Sequence, residues 1–539
     1  MSSLYFILLS IFVGFCFCDN PSELKGGSED NPGAKLKLTQ KALDYAVDVG
    51  SDIINEQIRR LKIPYFRKSI GGGELVITDM EVTEFREPDE YKLDFVPRDK
   101  INLAVKNADV AVKGHLDGHY KRKKATGPAT AKAKGLSLDI TAQLGRKSDG
   151  DPTVTITECK AEIKSLDIDF SQLKGSGARL AMKAERLVEG IAGKEIEQKV
   201  CEQLKEIAKA AVEEMLAKYG GTFPLDPDLG NDDDSDEKSD KTKDYLNAMA
   251  NLELKKYEID YRLTDDPIVA KDYAESAHRA EISYKGRGDT PFSPQKMESF
   301  KSSEDDKMIY GKVSDFVLNS FLYHAHEKDD LLTRINPDTV KESKNFLQTT
   351  CKDEVCFGTM FPEEVEDYAK QDVEIQIEPS EMPTVLAESG KAKLKLKGTV
   401  EAFAVPKWED SESKEEGKND KRKRSKLLKG KVDAEAEGDL EIKKDKLHGE
   451  IEFTKFKLDI EDKEDMSNLV KIFLEGALND ELFKGFPLPT FEDMVEIRKA
   501  KLDIEDRHID VEADVKFNKE KLNDMMEEMI QEKIKEMSD

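Results

Sequence analysis

The chain has 539 residues, a formal net charge of −27, 38 % hydrophobic residues and 37 % charged residues. The length suits more than one domain, and the high charge would fit a disordered chain if the apolar residues did not recur in ordered patterns. An acidic surface repels nucleic acid and anionic membranes, but salt confines this repulsion to roughly 8 Å, so a local basic patch can still bind an anion.

The first eighteen residues have the pattern of a secretory signal peptide. Residues 5–17 are almost entirely apolar, and the small residues Cys16 and Cys18 precede a cleavage position before Asp19. This stretch is too short to span a bilayer comfortably, and no later stretch reaches about 18 apolar residues. The sequence therefore predicts a secreted, extracellular protein without a membrane anchor.

A flexible leader is predicted for residues 19–35, because the first part of this segment shows no apolar periodicity. The apolar residues from Ala42 to Leu61 then follow helical spacing and form a wide apolar face. Thr39 is placed to cap this helix and Pro64 to end it.

The period of the apolar residues then changes. Apolar and polar residues alternate over residues 101–105, 136–144, 154–156 and 166–170, which is typical of half-buried antiparallel strands. Helical spacing returns from Leu180 to Met215, where two glycines are placed to bend the helix. The first 220 residues therefore read as helix, strands, helix.

An acidic segment with two prolines interrupts the pattern over residues 222–243. We interpret residues 222–255 as a solvated linker. The alternative of a calcium site is disfavoured because Asp232, Asp233 and Asp234 lack the glycine and the distal glutamate of a calcium-binding loop.

The same order of elements then recurs. Ser314 is a suitable N-cap for a further helix, and a later helix is predicted from Ser467 to Leu482. Alternation typical of strands is found at residues 373–377, 392–396, 432–442, 451–460, 502–504 and 509–517.

These patterns predict two copies of an α+β domain, each with long amphipathic helices covering the apolar face of a sheet. The predicted division of the chain is a signal peptide (1–18), a leader (19–35), an N-terminal domain (36–221), an acidic linker (222–255), a C-terminal part (256–518) and a charged amphipathic tail helix (519–539).

Several strings carry a family resemblance. Residues 38–66 (LTQKALDYAVDVGSDIINEQIRRLKIPYF) resemble the opening helix of the family of bactericidal/permeability-increasing protein, lipopolysaccharide-binding protein and the plasma lipid transfer proteins. Cys159 and Cys201 resemble that family's cysteine pair, and residues 357–363 (FGTMFPE) and 484–489 (KGFPLP) are similar to two further segments. The resemblance extends from residue 38 to residue 517.

The resemblance implies a boomerang of two tubular barrels joined by a central sheet. In each barrel a highly twisted antiparallel sheet would wrap around long amphipathic helices, and an apolar lipid pocket would lie between the helices and the sheet. The residues expected in the first pocket are Val49, Ile53, Ile54, Ile58, Leu187, Ile191, Val200 and Leu204. The residues expected in the second pocket are Phe316, Phe321, Leu469 and Phe473. The alternative is that these residues simply pack against one another.

Four cysteines remain after the signal peptide, and an even number in a secreted chain favours disulfides. The resemblance implies that Cys159 pairs with Cys201. Cys351 and Cys356 are close enough in sequence to form a second, smaller loop. A zinc site is the disfavoured alternative, because the cysteine spacing contains no CxxC pair.

Residues 119–135 contain six basic residues and no acidic residue around Gly127-Pro128, which we interpret as the turn of a hairpin. The resemblance places here the lipopolysaccharide-binding tip of the bactericidal relatives, so an anionic headgroup is the expected ligand. The alternative is a hairpin whose charges serve solubility. The basic residues are Lys121, Arg122, Lys123, Lys124, Lys132 and Lys134, and Arg67, Lys68, Arg146 and Lys147 are candidates to join them.

Two further charged segments leave alternatives open. The basic run at residues 418–431 is interpreted mainly as an exposed loop, with a convertase cleavage site and an anion-binding patch as alternatives. The tail at residues 519–539 has apolar residues at helical spacing. Its resemblance to the terminal helix of cholesteryl ester transfer protein suggests a lid over a pocket.

The sequence contains no convincing catalytic pattern, metal site or cofactor site. His324 and His326 are alternate residues of a predicted helix and point to different faces, so they make a poor metal pair. We therefore predict a non-enzymatic, secreted protein that binds or transfers lipids. Its expected partners are phospholipid and, transiently, a membrane or lipoprotein surface. Nucleic acid is not an expected partner. The alternatives are an innate-immunity protein that binds lipopolysaccharide and an interaction protein with filled barrels.

Overall fold

The computed structural model has an α+β fold and describes most of the chain between Leu24 and Ser538. The described residues are 24–60, 62–63, 66–70, 72–219, 221–225, 256–286, 288, 290–300, 306–337, 345–351, 355–407, 424–443, 446–460, 467–484, 486–487 and 495–538.

Apolar spacing predicted five of the described helices, that is, all except the short helix at Phe357–Met360. The second of these continues through Gly190 and Gly193 as a single helix of 42 residues. The helices are Gln40–Arg60 (α1), Ala178–Tyr219 (α2), Asp315–Glu327 (α3), Phe357–Met360 (α4), Ser467–Lys484 (α5) and Lys519–Ser538 (α6).

A six-stranded central sheet joins the two halves of the chain. Its strands in spatial order are Ile268–Val269 (β12), Tyr273–His278 (β13), Ala34–Thr39 (β1), Ile309–Ser314 (β15), His508–Phe517 (β24) and Val495–Glu505 (β23). The antiparallel pair of β1 and β15 lies in the middle, and each of these strands leads directly into a helix, α1 or α3. The sheet is therefore built from two equivalent three-stranded halves, as a duplicated chain requires.

The N-terminal half contains an eight-stranded antiparallel sheet dominated by one long hairpin. Its two main strands, β6 and β7, have 21 and 24 residues, so the hairpin is roughly 70 Å long. The strands are Lys62–Ile63 (β2), Phe66–Ile70 (β3), Gly73–Arg86 (β4), Glu90–Val96 (β5), Lys100–Tyr120 (β6), Lys123–Arg146 (β7), Pro152–Glu162 (β8) and Ser165–Asp169 (β9).

The C-terminal half contains a seven-stranded antiparallel sheet with α5 packed against β21. Its strands are Thr333–Ile335 (β16), Asp372–Pro379 (β17), Thr384–Glu388 (β18), Lys391–Val405 (β19), Ser425–Lys443 (β20), Lys446–Ile460 (β21) and Phe486–Pro487 (β22). The FGTMFPE string contributes Phe357 and Phe361 to a buried core with Val373.

A fourth, small sheet follows α2 and consists of Thr222–Pro224 (β10), Tyr257–Asp260 (β11) and Ile282–Tyr284 (β14). Helix α3 packs on it, with Val317 and Ala325 buried against Tyr257 and Ile282. Ser314 caps α3 as predicted, since its side chain accepts the N–H of Phe316. The predicted linker therefore begins with a short strand, and residues 226–255 lie outside the described residues.

The prediction of a flexible leader is wrong for residues 24–35. Leu24 is buried with Phe292 and Phe316, and the backbone N–H of Gly33 donates to Arg279 at 3.1 Å. Residues from Ala34 onward form β1. The partners of this segment are more than 200 residues away in sequence, which is why local periodicity did not reveal it.

The predicted signal peptide, residues 1–18, lies outside the described residues. None of the helices in the described part of the chain has the length and apolar character needed to cross a bilayer.

Candidate functional site

The two long helices of the N-terminal half lie against different parts of the eight-stranded sheet. Helix α1 packs on β4 and β5, whereas α2 packs on β7, β8 and β9. Both helices therefore line the same sheet without either one covering it completely.

A disulfide fixes α2 to this sheet. Cys159 on β8 and Cys201 on α2 are bonded with their Cα atoms 5.7 Å apart, which confirms the predicted pair. Val200 and Leu204, two of the residues expected in the first pocket, flank Cys201 and are half-buried. Cys351 and Cys356 form the second disulfide, so the prediction of disulfides over zinc is confirmed for both pairs.

Helix α2 is also held to the sheet by side-chain hydrogen bonds. Glu185 accepts the backbone N–H of Phe170, and Glu189 accepts that of Ile168 on β9, each at 3.1 Å. Glu197 accepts the N–H of Ile163 at 2.9 Å. These carboxylates occupy the hydrogen-bonding edge that an added strand would otherwise use.

Helix α5 repeats this arrangement in the C-terminal half. Glu475 accepts the N–H of Phe453 at 2.6 Å, and Asn479 accepts the N–H of Ile451 at 2.7 Å and donates to its carbonyl at 2.9 Å. Side-chain hydrogen bonds to the backbone at one edge of each sheet thus hold α2 and α5 in equivalent ways.

The apolar side chains of these two helices are only partly packed: Val470 and Leu474 of α5 pack against buried clusters without being fully buried themselves. After the first turn of α2, none of the apolar side chains that the structure describes on this helix is fully buried, and Ile196 is exposed. On α5, Ile472 is 68 % exposed and Phe483 is 80 % exposed. Leu103 and Val105 on the long hairpin are also only half-buried.

The residues expected in the first pocket are distributed over these surfaces. Val49 and Ile53 of α1 are buried, whereas Ile54 and Ile58 are half-buried. Leu187 and Ile191 belong to α2, but their side chains lie outside the described part of the structure.

Two residues of the second expected set lie in side-chain cores, which corrects the prediction that they line a pocket. Phe316 is buried with Leu24 and Phe292, and Phe321 packs on Tyr257 with ring centroids 5.1 Å apart. Both therefore belong to side-chain cores on α3. Leu469 and Phe473 lie on α5, and their side chains are outside the described part of the structure.

A cavity of about 310 Å³ lies elsewhere, lined by Tyr284, Lys285, His324 and Lys328. It contains none of the predicted pocket residues. His324 lines it from α3 and lies 3.7 Å from the carboxylate of Glu281, while His326 is half-buried on the same helix. Among the described residues, no group of histidine, cysteine or acidic side chains is arranged to hold a metal ion.

The basic tip, residues 121–124, consists of the two-residue turn of the β6–β7 hairpin and the first two residues of β7. Lys121, Arg122, Lys123 and Lys124 are all exposed, and none of them forms an ion pair with a residue that the structure describes. The ammonium of Lys121 lies 5.5 Å from the ring of Tyr120, which is itself 41 % exposed. This end of the molecule therefore presents four cations beside an aromatic ring.

The position of the turn differs from the prediction, which placed it at Gly127-Pro128. These two residues lie inside β7, and Gly127 has a φ of +143° where a Cβ would come within 3.0 Å of the carbonyl of Gln172. The glycine thus permits close approach of a neighbouring segment and does not form the turn.

Two of the six predicted basic residues lie farther along β7. Lys132 forms an ion pair with Glu84, and Lys134 is exposed but ten residues beyond the turn region. Arg67 on β3 is close to the tip, whereas Arg146 and Lys147 lie at the opposite end of β7. The side chain of Lys68 is outside the described part.

The second basic run is partly neutralised where the structure describes it. Lys426 and Lys429 on β20 both contact the carboxylate of Glu401, at 2.5 and 3.2 Å. Arg424 lies 3.3 Å from the buried carboxylate of Glu374. The remainder of the loop, residues 408–423, lies outside the described part.

The tail helix α6 packs on α1. Phe517 stacks on Tyr45 with ring centroids 5.6 Å apart, and the amide of Gln57 donates to Asn523 at 2.9 Å. Lys519 adds an ion pair with Asp52 at 2.8 Å. The tail therefore contacts the same helix whose other residues were expected in the first pocket.

Comparison with known families gives a match over both halves of the chain. The N-terminal domain of the LBP / BPI / CETP family matches residues 42–216, and its C-terminal domain matches residues 253–517. With its central sheet and two sheet-and-helix halves, the chain belongs to the LBP / BPI / CETP family.

Individual relatives are distant. Lipopolysaccharide-binding protein from Homo sapiens is 23 % identical over 507 residues, covering 91 % of this chain and 94 % of that protein. Phospholipid transfer protein from Homo sapiens is 26 % identical over 147 residues, covering 27 % of this chain and 30 % of that protein. A crystal structure of lipopolysaccharide-binding protein superposes with a TM-score of 0.46 at 20 % identity, covering 90 % of this chain and 99 % of that one.

Proposed function

We propose that this protein is a secreted, non-enzymatic lipid carrier that holds acyl chains between its helices and sheets. One site would lie between α1, α2 and the eight-stranded sheet, and the other between α5 and the seven-stranded sheet. The observation that carries this proposal is the exposure of apolar side chains on helices that are themselves firmly anchored at one edge. A barrel filled with side chains would bury those residues.

The energetics favour a long apolar ligand. Each buried methylene contributes about 0.8 kcal/mol, so a sixteen-carbon chain gains on the order of 10 kcal/mol before entropy and reorganisation are subtracted. Val200 and Leu204, fixed by the neighbouring disulfide, provide one such wall. On this proposal each half of the molecule is a tubular barrel, and the central sheet joins the two barrels into a boomerang.

The names of the relatives support the same class of ligand, since they include a phospholipid transfer protein and lipopolysaccharide-binding proteins. The second candidate function is capture of lipopolysaccharide or another anionic lipid in an innate-immunity role. The four exposed cations of the basic tip favour it, because charge-assisted contacts to phosphate are strong and specific.

The contacts of α6 with α1 support a further element of the proposal, namely that the tail helix is a lid on the N-terminal site. Its apolar residues continue past Leu522 at helical spacing, and its first turns are tied down by Phe517 and Lys519. Removal of the tail would then open the site to exchange.

Native mass spectrometry of the purified protein, with extraction and identification of bound lipid, tests the main proposal. We expect two lipid molecules per chain, and one in the variant Leu204→Trp, which fills the N-terminal site. The matched control is Lys205→Trp, because Lys205 is the exposed neighbour on the same helix. A lipid-free protein, or equal lipid content in both variants and the parent, would contradict the proposal.

A further inference from the structure

The cavity of about 310 Å³ is built from the small three-stranded sheet and the C-terminal end of α3. Tyr284 ends β14 and Lys285 follows it, while His324 lies in the last turn of α3 and Lys328 is its C-cap. Three of these four lining residues carry or can carry a positive charge. Its volume is at the small end of the range for ligand pockets, and none of its lining residues belongs to the proposed lipid sites.

The imidazole of His324 is the buried polar group of this cavity. The residue is 8 % exposed, and its Nε2 is buried without a hydrogen-bond partner among the residues that the structure describes. The carboxylate of Glu281 lies 3.7 Å from Nε2, which is too far for a hydrogen bond, and it accepts the backbone N–H of Thr290 at 3.2 Å. Because an unpaired buried nitrogen is costly, the cavity favours a ligand that can form a hydrogen bond with Nε2.

Two ammonium groups lie close to a single aromatic ring beside this imidazole. Nζ of Lys285 is 5.5 Å and Nζ of Lys328 is 5.2 Å from the ring centroid of Tyr284. Both lysines are exposed. Neither forms an ion pair with a described residue, although Glu327 and Asp329 adjoin Lys328 in sequence. An anion placed between the two ammonium groups would offset their mutual repulsion.

The carboxylates of the surrounding elements have other hydrogen-bond partners. Asp330, just after α3, accepts the hydroxyl of Tyr257 at 2.7 Å. Glu258 on β11 accepts the hydroxyl of Thr222 at 2.5 Å. Both lysines that line the cavity are therefore available to an anionic ligand.

We propose that this cavity binds the phosphate group of a small, water-soluble molecule, which Lys285 and Lys328 hold by charge and His324 by a hydrogen bond from Nε2. Phosphate is the favoured anion because a phosphomonoester is close to doubly charged near neutral pH and offers several acceptor oxygens to the three donors. An acyl chain would leave Nε2 without a partner, so the occupant differs from that of the lipid sites. The bound molecule would link β14 to α3.

Isothermal titration calorimetry of the full chain with glucose 6-phosphate tests the proposal. We expect one binding site per chain, competition by inorganic phosphate and no binding of glucose. The variant K285Q/K328Q should lose affinity by about tenfold or more, because it removes two charge-assisted contacts. The control K271Q/K296Q removes the same charge at exposed positions that do not line the cavity, and it should bind like wild type.

The histidine has its own pair of variants. His324→Phe should lower the affinity for glucose 6-phosphate by about tenfold, whereas His324→Gln retains a side-chain N–H and should retain most of the affinity. Because His324→Phe removes an unpaired buried nitrogen, denaturant titration should show no loss of stability, which separates loss of the ligand contact from loss of the fold. His326→Phe, at a half-buried position of the same helix, is the control and should bind normally.

The contrary results are distinct. The proposal is overturned if neither glucose 6-phosphate nor inorganic phosphate binds at millimolar concentration, or if K285Q/K328Q and His324→Phe both bind like wild type. Tighter binding of dihexanoyl phosphatidic acid, a soluble lipid with the same phosphomonoester, would assign the cavity to a lipid headgroup and also overturn it. The lipid content measured by native mass spectrometry is an independent readout, so failure here leaves the carrier function intact.

Discussion

The carboxylate of Glu189 on α2 accepts the backbone N–H of Ile168 on β9, and Glu185 one helical turn earlier accepts the N–H of Phe170. Four helical residues advance about 6 Å, and two strand residues advance about 6.6 Å, so the two repeats match. A helix that runs antiparallel to an edge strand can therefore place a side-chain acceptor on every fourth residue opposite every second backbone N–H of the strand. Glu475 and Asn479 do the same for α5 and β21.

This edge pairing fixes the position of a helix without requiring that its apolar face be buried. A helix that depended on apolar packing for its position would have to bury its apolar face. Polar contacts along one edge of the sheet fix α2 and α5, and a disulfide also fixes α2, so on the proposed carrier function their apolar residues would be available to a ligand. The same contacts satisfy strand N–H groups that would otherwise invite edge-to-edge association.

Replacing Glu185 and Glu189 by methionine should destabilise the protein, because two strand N–H groups lose their acceptors while side-chain volume is kept. We expect a loss of about 1–2 kcal/mol for each bond in the free energy of unfolding, measured by denaturant titration. Hydrogen exchange should accelerate specifically at the amides of Ile168 and Phe170. Glu202→Met, at an exposed position of the same helix, is the control, and equal destabilisation by the control would contradict the role assigned to the edge contacts.

Much of the fold was predictable from the spacing of apolar residues. The four long helices, most of the long strands and the duplication follow from periods of 3.6 and 2 that persist over many residues. Leader strand β1 was missed because its partners, β13 and β15, are distant in sequence and its six residues give little periodicity of their own.

The errors at the candidate sites have specific physical causes. Gly127-Pro128 has turn composition, but here the glycine serves a close backbone contact inside a strand. Phe316 and Phe321 have the spacing of a pocket face, but α3 is short and packs into two side-chain cores. The edge carboxylates gave one usable signal, which is the spacing of Glu185 and Glu189 by four residues, but glutamate at this spacing is ordinary on exposed helices.

Removing the disulfide between Cys159 and Cys201 should cost more stability than removing the one between Cys351 and Cys356. The first closes a separation of 42 residues and the second a separation of 5. Loop-closure entropy then predicts losses of about 4 and about 2 kcal/mol in the free energy of unfolding for the two double-serine variants. Thermal and chemical unfolding of both variants measures this, and the reverse order of stability would show that entropy of the unfolded chain does not dominate.

Deleting residues 519–539 should accelerate lipid exchange from the N-terminal site if α6 is a lid. The weaker variant Phe517→Ala, which removes the stacking on Tyr45, should produce part of the same acceleration. Transfer of a fluorescent phospholipid between vesicles measures the rate, and Lys516→Ala, an exposed neighbour on β24, serves as the control. Unchanged transfer by the deletion variant would remove the lid from the proposed function.

The central sheet should make stability depend on pH through His508. A hydrogen bond with Asp510 raises the pKa of His508, against the opposing effect of burial, and Lys312 lies 3.3 Å from Nε2 of the same ring. Because the folded pKa exceeds the unfolded one, the stabilisation is fully present below about pH 6.5 and is lost as the pH rises through the folded pKa. Denaturant titrations at a series of pH values should therefore show wild type losing stability relative to His508→Gln between about pH 6 and pH 8.

Asp510 cannot cause this loss of stability. Burial tends to raise the pKa of Asp510, but the hydrogen bonds from His508 and Lys312 prevail and lower it, so this carboxylate stays ionised throughout that window. Parallel stability curves for the two proteins would exclude His508 as the titrating group.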